Sequence, residues 1–106
     1  MFTRMDSSIN FSWGRSAPEV GMGIDTFYIV WDGTITATAG TYRITNNHDD
    51  GMRIYIDGNL VHNHWIDKGS YNEFLNVSLA AGVHALRIEF YENTGDATAI
   101  FSIQKL

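Results

Sequence analysis

The feature that most restricts how this chain can fold is a two-residue hydrophobic rhythm, which recurs in short bursts and nowhere lengthens into helical spacing. Phe27, Ile29 and Trp31 alternate with Tyr28 and Val30, and Tyr42 and Ile44 alternate with Thr41, Arg43 and Thr45. Met52, Ile54 and Ile56 share one side of a third run, and Leu75, Val77 and Leu79 share one side of a fourth. Leu86, Ile88 and Phe90 stand against Arg87 and Glu89, and Ala99, Phe101 and Ile103 close the series. Successive side chains of an extended chain point to opposite faces, so each burst makes a strand with an apolar row for a core and a polar row for water. The threonines and alanines at 36–39 could pass for helix, but β-branched residues flank them and Gly40 stops them. Asp57-Gly58 supplies the positive-φ pair of a two-residue hairpin that returns through Leu60 and Val61. Seven or so short strands separated by turn signals predict an all-β fold, an antiparallel β-sandwich. Residues 12–25 read as a long irregular arm that Trp13 folds onto the sheets.

At 106 residues the chain is one domain, 1–106, and one core suffices, because roughly two-thirds of the surface exposed on unfolding can be buried at this size. With no cysteine there is neither a disulfide nor a thiolate site. Twelve acidic residues against seven basic ones leave a formal charge of −5, which argues against a nucleic-acid partner and against attraction to anionic membranes. No run reaches the ~18 apolar residues of a membrane helix, and Met1 to Asn10 lacks the apolar centre of a signal peptide. The expectation is therefore either a cytoplasmic protein or a module whose leader and neighbouring domains lie outside this sequence.

Catalytic signatures are missing: there is no H-E-x-x-H, no G-x-S-x-G and no phosphate-cradling glycine loop. Paired carboxylates can cleave glycosides only when they face each other across the bond, about 5–9.5 Å apart, and sequence neighbours cannot do so. Glu73 and Glu92 could, but nothing in the sequence brings them together. His62 and His64 sit two apart, so on a strand they share a face, and two imidazoles so placed could share a transition metal. With no third ligand nearby, the plainer reading is that they decorate the polar side of a hairpin arm. His48 and His84 stand singly.

Asp49 and Asp50 stand side by side where the run from Met52 begins. An aspartate before glycine in a polar loop is ordinary turn chemistry, its carboxylate capping backbone N–H groups. The functional alternative is calcium, a hard cation that takes about 6–8 oxygens from carboxylates, amides, carbonyls and water. Neighbouring side chains on extended backbone diverge, so aiming both at one ion requires a sharp bend between them, for which a cis peptide is one route.

The segments "NFSWGRSAPEV", "DTFYIVWDGTITATAGTYRITNNHDDGMRIYIDGNLVHNHW" and "AAGVHALRIEFYENTGDA" occur in that order. The most specific elements are a W-x-G, the D-D-G-x-x-x-x-x-D-G hairpin, the tryptophan after it and "FYENTGDA". Over about residues 10–103 they make the chain similar to the PA-fourteen domain family, named from the anthrax protective antigen. The resemblance implies a jelly-roll-type β-sandwich of the kind found in adhesins, in toxins and beside glycosidases. It also implies Ca2+ held by two adjacent aspartates joined through a cis peptide, with the ion gripping vicinal sugar hydroxyls. Asp49 and Asp50 match that pair. The family's second loop, which supplies an amide or carbonyl ligand and contacts the sugar, corresponds to Glu92 to Ala97. That carries Asn93 over as the amide ligand, Asp96 as a further metal candidate, and Glu92, Asn93 and Thr94 as sugar contacts. Trp65 matches the tryptophan after the hairpin, whose indole either stacks on a sugar face or packs into the core. Two departures stand out: the insertions that build specificity loops in adhesins are missing, and His48 takes the place of a small hydroxyl residue, a change that reads as minor.

Together these readings predict a calcium-dependent carbohydrate-binding module, not an enzyme, with a mono- or oligosaccharide as partner. It would be a monomer or one module of a larger chain, with no nucleic-acid partner and no membrane insertion. Calcium is plentiful outside cells, which favours an extracellular or cell-surface parent, an adhesin or a glycosidase. The competing reading is a structural or protein-interaction module in which calcium only fixes a loop.

Overall fold

The computed structural model describes residues 9–14, 27–67, 69, 72–93 and 97–106, which form eight strands. They are β1 (Ile9–Gly14), β2 (Phe27–Ala37), β3 (Gly40–Asp49), β4 (Gly51–Ile56), β5 (Asn59–His64), β6 (Asn72–Leu79), β7 (Gly82–Glu92) and β8 (Ala97–Lys105). Two four-stranded antiparallel sheets, in the orders β1-β8-β3-β6 and β2-β7-β4-β5, face each other. This is an eight-stranded jelly roll, in which every link between consecutive strands crosses from one sheet to the other except the β4–β5 hairpin. The threonine–alanine run is the end of β2, paired with β7 out to Ala37↔Gly82. Ser12 and Gly14 belong to β1, which pairs with β8, so residues 12–14 are strand and not the irregular arm expected there; residues 15–26 and the Trp13 side chain lie outside the described residues. No helix among the described residues is long and apolar enough to cross a membrane.

The alternation seen in the sequence places the core. Ile54, Ile88 and Trp31 form one cross-strand row on the second sheet, and Met52, Phe90 and Ile29 form the next. Ile44, Met52, Ile54, Ile88 and Phe90 are completely buried. Burying an aliphatic or phenyl side chain of this size contributes about 1.5–3 kcal/mol. On the first sheet the inward row of β3 changes character along the strand: Ile44 is followed by Asn46 and His48, both fully buried. The sandwich therefore has an apolar middle and one polar end, and that end is where β3 hands over to β4.

The hairpin of β4 and β5 turns through Asp57 (φ 51°) and Gly58 (φ 78°), the type I′ geometry expected of Asp-Gly. Its return strand carries a bulge at Val61: Tyr55 pairs with Leu60, but Ile54 pairs with His62 and Met52 with His64. A one-residue shift reverses which face every later side chain takes. His62 and His64 consequently share the inner face with Ile54 and Met52, instead of decorating the polar side of the hairpin.

Candidate functional site

The candidate site is built by the register of β4 against β7. Gly51 pairs with Tyr91, and the Asp50 N–H donates to the Tyr91 carbonyl at 3.1 Å, so Asp50 comes beside the following residue, Glu92. Asp49 ends β3, and the Asp49–Asp50 peptide is cis. One carboxylate oxygen each from Asp49, Asp50 and Glu92 lie within 4.8 Å of one another. Two oxygens on the same calcium ion, each about 2.3–2.6 Å from it, can be separated by up to about 4.6–5.2 Å, so the trio spans the right distance for one ion. Asp50 is 5% exposed and Glu92 1%. Three carboxylates at such separations repel by about 3–4 kcal/mol per pair at an effective dielectric of about 20, and a divalent cation offsets this. The donor set is all oxygen, as calcium prefers.

The rest of the site fixes these groups. The Asn93 N–H donates to Asp50 Oδ2 at 2.7 Å, and Asn93 Nδ2 donates to Asp67 Oδ2 at 2.9 Å. Tyr91 Oη donates to the other Asp67 oxygen at 2.8 Å. Burial, this hydrogen bond and the charges of Asp67 and Asp50 together push the Tyr91 hydroxyl up to about 12, so it stays a donor. Gly51 is required beneath it, because a Cβ there would overlap the Tyr91 ring. Asp67 and Tyr91 were not visible as site residues in the sequence. Tyr91 lies inside the "FYENTGDA" segment, whereas Asp67 carries no signal beyond following Trp65 by two positions.

Trp65 neither enters the core nor offers a bare platform. Its ring meets Tyr91 edge-on at 4.7 Å and Tyr28 at 6.0 Å, and the Arg53 guanidinium sits 3.9 Å from its centroid. Its indole thus borders the Tyr91–Asp67–Asn93 rim with one face covered by Arg53. Thr94 and Asp96 lie outside the described residues. Glu73 and Glu92 fall in separate clusters. His48, whose identity read as minor, is fully buried and its Nδ1 donates to the Asp50 carbonyl at 2.6 Å.

Comparison with known proteins agrees with this architecture. The family model described as "PA14 domain" matches residues 2–105. The anti-sigma-I factor RsgI3 of Acetivibrio thermocellus is 30% identical over 100 residues, which are 92% of this chain and 16% of that protein. The solved structure of an anti-sigma factor domain-containing protein superposes with a TM-score of 0.92 at 28% identity, covering 99% of this chain and 37% of that one. A PA14 sugar-binding domain from an RTX adhesin shares the fold, with a TM-score of 0.75 at 18% identity over 92% of this chain and 68% of that one. The chain thus spans a minor part of the anti-sigma relatives.

Proposed function

Because the chain belongs to the PA14 domain family, we propose that it is a calcium-dependent carbohydrate-binding module whose ion rests between Asp49, Asp50 and Glu92. The observation that carries this reading is the convergence of those three carboxylates within 4.8 Å at the polar end of the sandwich. Calcium, when bound, supplies a charge on which vicinal sugar hydroxyls can coordinate. Asp50 is oriented for this by the Asn93 N–H, and Asn93 and Asp67 present polar groups at the rim where a sugar ring would be steered. Glu92, at 1% exposure, serves the ion and not the sugar. Trp65 contributes the part of its indole that Arg53, Tyr91 and Tyr28 leave exposed. Thr94 and Asp96 are carried over from the family resemblance as candidates for the sugar and the ion. Affinity is modest, since an open site buries little surface and hydroxyls exchange one hydrogen-bond partner for another. Calorimetric titration of mono- and oligosaccharides in calcium and then in chelator tests this: heat only in calcium supports it, and binding indifferent to chelator removes the ion from the mechanism. A silent glycan array alongside calcium-raised stability would instead favour a structural role for the ion.

A second reading concerns what the module serves. Two relatives similar over nearly the whole chain are anti-sigma factors in which this fold is a small part. We read the chain as the ligand-receiving module of such a protein, displayed at the cell surface, in preference to an adhesin or glycosidase module. A polysaccharide that binds the module and switches transcription in cells carrying the parent protein supports this; binding with no transcriptional response in such cells opposes it.

A further inference from the structure

We propose that His48, His62, His64 and Glu73 form a second metal site, distinct from the carboxylate trio, for a divalent transition cation of the zinc class. This goes beyond the carbohydrate reading and does not depend on it. The four residues come from β3, β5 and β6, and one ligand atom from each lies within 4.8 Å of the others. The bulge at Val61 is what turns both β5 histidines inward to meet His48.

The distances suit direct coordination. His48 Nε2 is 3.2 Å from His62 Nε2 and 3.1 Å from Glu73 Oε1, and His64 Nδ1 is 3.0 Å from both Glu73 oxygens. Ligands held about 2.0–2.1 Å from a tetrahedral zinc stand about 3.3–3.4 Å apart, so these edges need to open by only a few tenths of an ångström. Three imidazoles and one carboxylate favour zinc, copper, nickel or cobalt over calcium.

The proton inventory points the same way. The Asp50 carbonyl can only accept, so His48 Nδ1 carries its proton, and a neutral ring then turns the bare lone pair of Nε2 toward Glu73 and His62. A lone pair facing a carboxylate calls for a cation between them, a proton or a metal ion. A histidine anchored through its far nitrogen to a backbone carbonyl is also the usual arrangement of a metal ligand, because the anchor sets the tautomer and the ring plane. Asn46, fully buried one step along the same inner face and in register with Glu73, has neither amide atom hydrogen-bonded among the described residues. A buried amide of this kind calls for a water molecule or an ion as its partner. His64 and Glu73 are 25% and 20% exposed, which leaves the ion a way in.

Cobalt is the probe, because its visible d–d absorption reports tetrahedral coordination. The intact chain should take up one equivalent of Co2+ with a tetrahedral spectrum, lose it to Zn2+, and keep it in millimolar Ca2+. His62→Gln/His64→Gln should weaken binding at least about 100-fold, since loss of supporting groups alone costs about 10–100-fold at metal sites. Glu92→Gln should leave the cobalt spectrum intact while weakening any calcium response, so the two sites can fail separately. On the unaltered chain, zinc should shift the imidazole nitrogen resonances of His48, His62 and His64 and leave those of His84 in place. A folded chain that gives no tetrahedral cobalt spectrum overturns the proposal and leaves a proton-linked histidine network. Binding undiminished in the double histidine variant, or zinc shifts confined to His84, overturns it equally.

Discussion

Strand β4 has an Asp-Gly pair at each end, and the two aspartates are held in opposite ways. Beyond its C-terminal end, Asp57 accepts from the Ala85 N–H at 2.9 Å and from His84 Nδ1 at 2.5 Å, while His84 Nε2 donates to the Ala80 carbonyl at 2.7 Å. Both carboxylate oxygens of Asp57 are answered by donors. At the N-terminal end Asp50 accepts from the Asn93 N–H, and its carboxylate also stands beside those of Asp49 and Glu92. The same dipeptide is a brace in one place and a candidate ion seat in the other. What separates them is the charge of the groups that the sheet register brings alongside, which local sequence does not specify.

Exchanging the roles of the two aspartates should break this contrast most visibly. Asp50→Ala should abolish calcium binding, and with it the stabilisation of ~2.7 kcal/mol expected at a hundredfold excess of calcium over its dissociation constant. In chelator the same variant should lose little, because a forfeited hydrogen bond of about 1 kcal/mol is offset by relief of like-charge repulsion. Asp57→Ala should do the reverse, lowering stability in chelator and keeping the calcium response. Thermal unfolding of both variants, with and without calcium, reads all four values. An Asp50→Ala chain already unfolded in chelator would show that Asp50 is a brace too.

How much of this was legible beforehand follows the same division. Periodic burial is a local property, and Ile44, Met52, Ile54, Ile56, Ile88 and Phe90 fall on the inner faces where alternation puts them. The Asp57-Gly58 turn is equally local. The adjacency of Asp49 and Asp50 is visible in the sequence, and the resemblance supplied a cis peptide, which the structure has. Cross-strand register is not local. A single extra residue at Val61 inverts the faces of His62 and His64, and their alternation with Asn63 looks the same with or without it. The arrival of Glu73 beside them depends on β6 pairing with β3, and the cover that Arg53 lays on Trp65 depends on which way an indole leaves its strand end. Those are tertiary facts, so His48 looked solitary and Asp67 looked like loop.

The two glycines sharpen the comparison on a smaller scale, because they are needed for different reasons. Gly51 has no positive φ, but a Cβ on it would overlap the Tyr91 ring; Gly58 has open space around it and a φ of 78°. Gly51→Ala should cost about 1–3 kcal/mol through displacement of Tyr91, and should weaken calcium binding because Tyr91 and Asp67 adjoin Asp50. Gly58→Val should cost about as much through a strained backbone, and leave calcium binding alone. Removing the ring in Tyr91→Ala should recover part of the Gly51→Ala loss and none of the Gly58→Val loss. A double-mutant cycle by denaturant unfolding measures this coupling, and additivity at position 51 would mean that Tyr91 is not the obstacle.

The smallest effect should come from titrating the brace. The hydrogen bond to Asp57, then that to the Ala80 carbonyl, raises the His84 imidazole above its ordinary value, while His84 and the Ala85 N–H lower the Asp57 carboxyl. A raised histidine contributes in full below its unfolded value of about 6.5 and fades as pH climbs through the folded one; a lowered aspartate contributes above about 3.9 and fades as pH falls through its folded value. The brace is therefore complete between about pH 4 and pH 6.5 and weakens on either side. His84→Ala should lower the melting temperature most within that window, in chelator, and the difference from the parent chain should shrink in alkali as the parent's own histidine loses its proton. Asp57 is half-exposed and His84 more covered, so salt should shrink the difference in part. A gap between the two melting curves that stays constant from pH 5 to pH 9 would mean that His84 acts by packing over the turn and not through its charge.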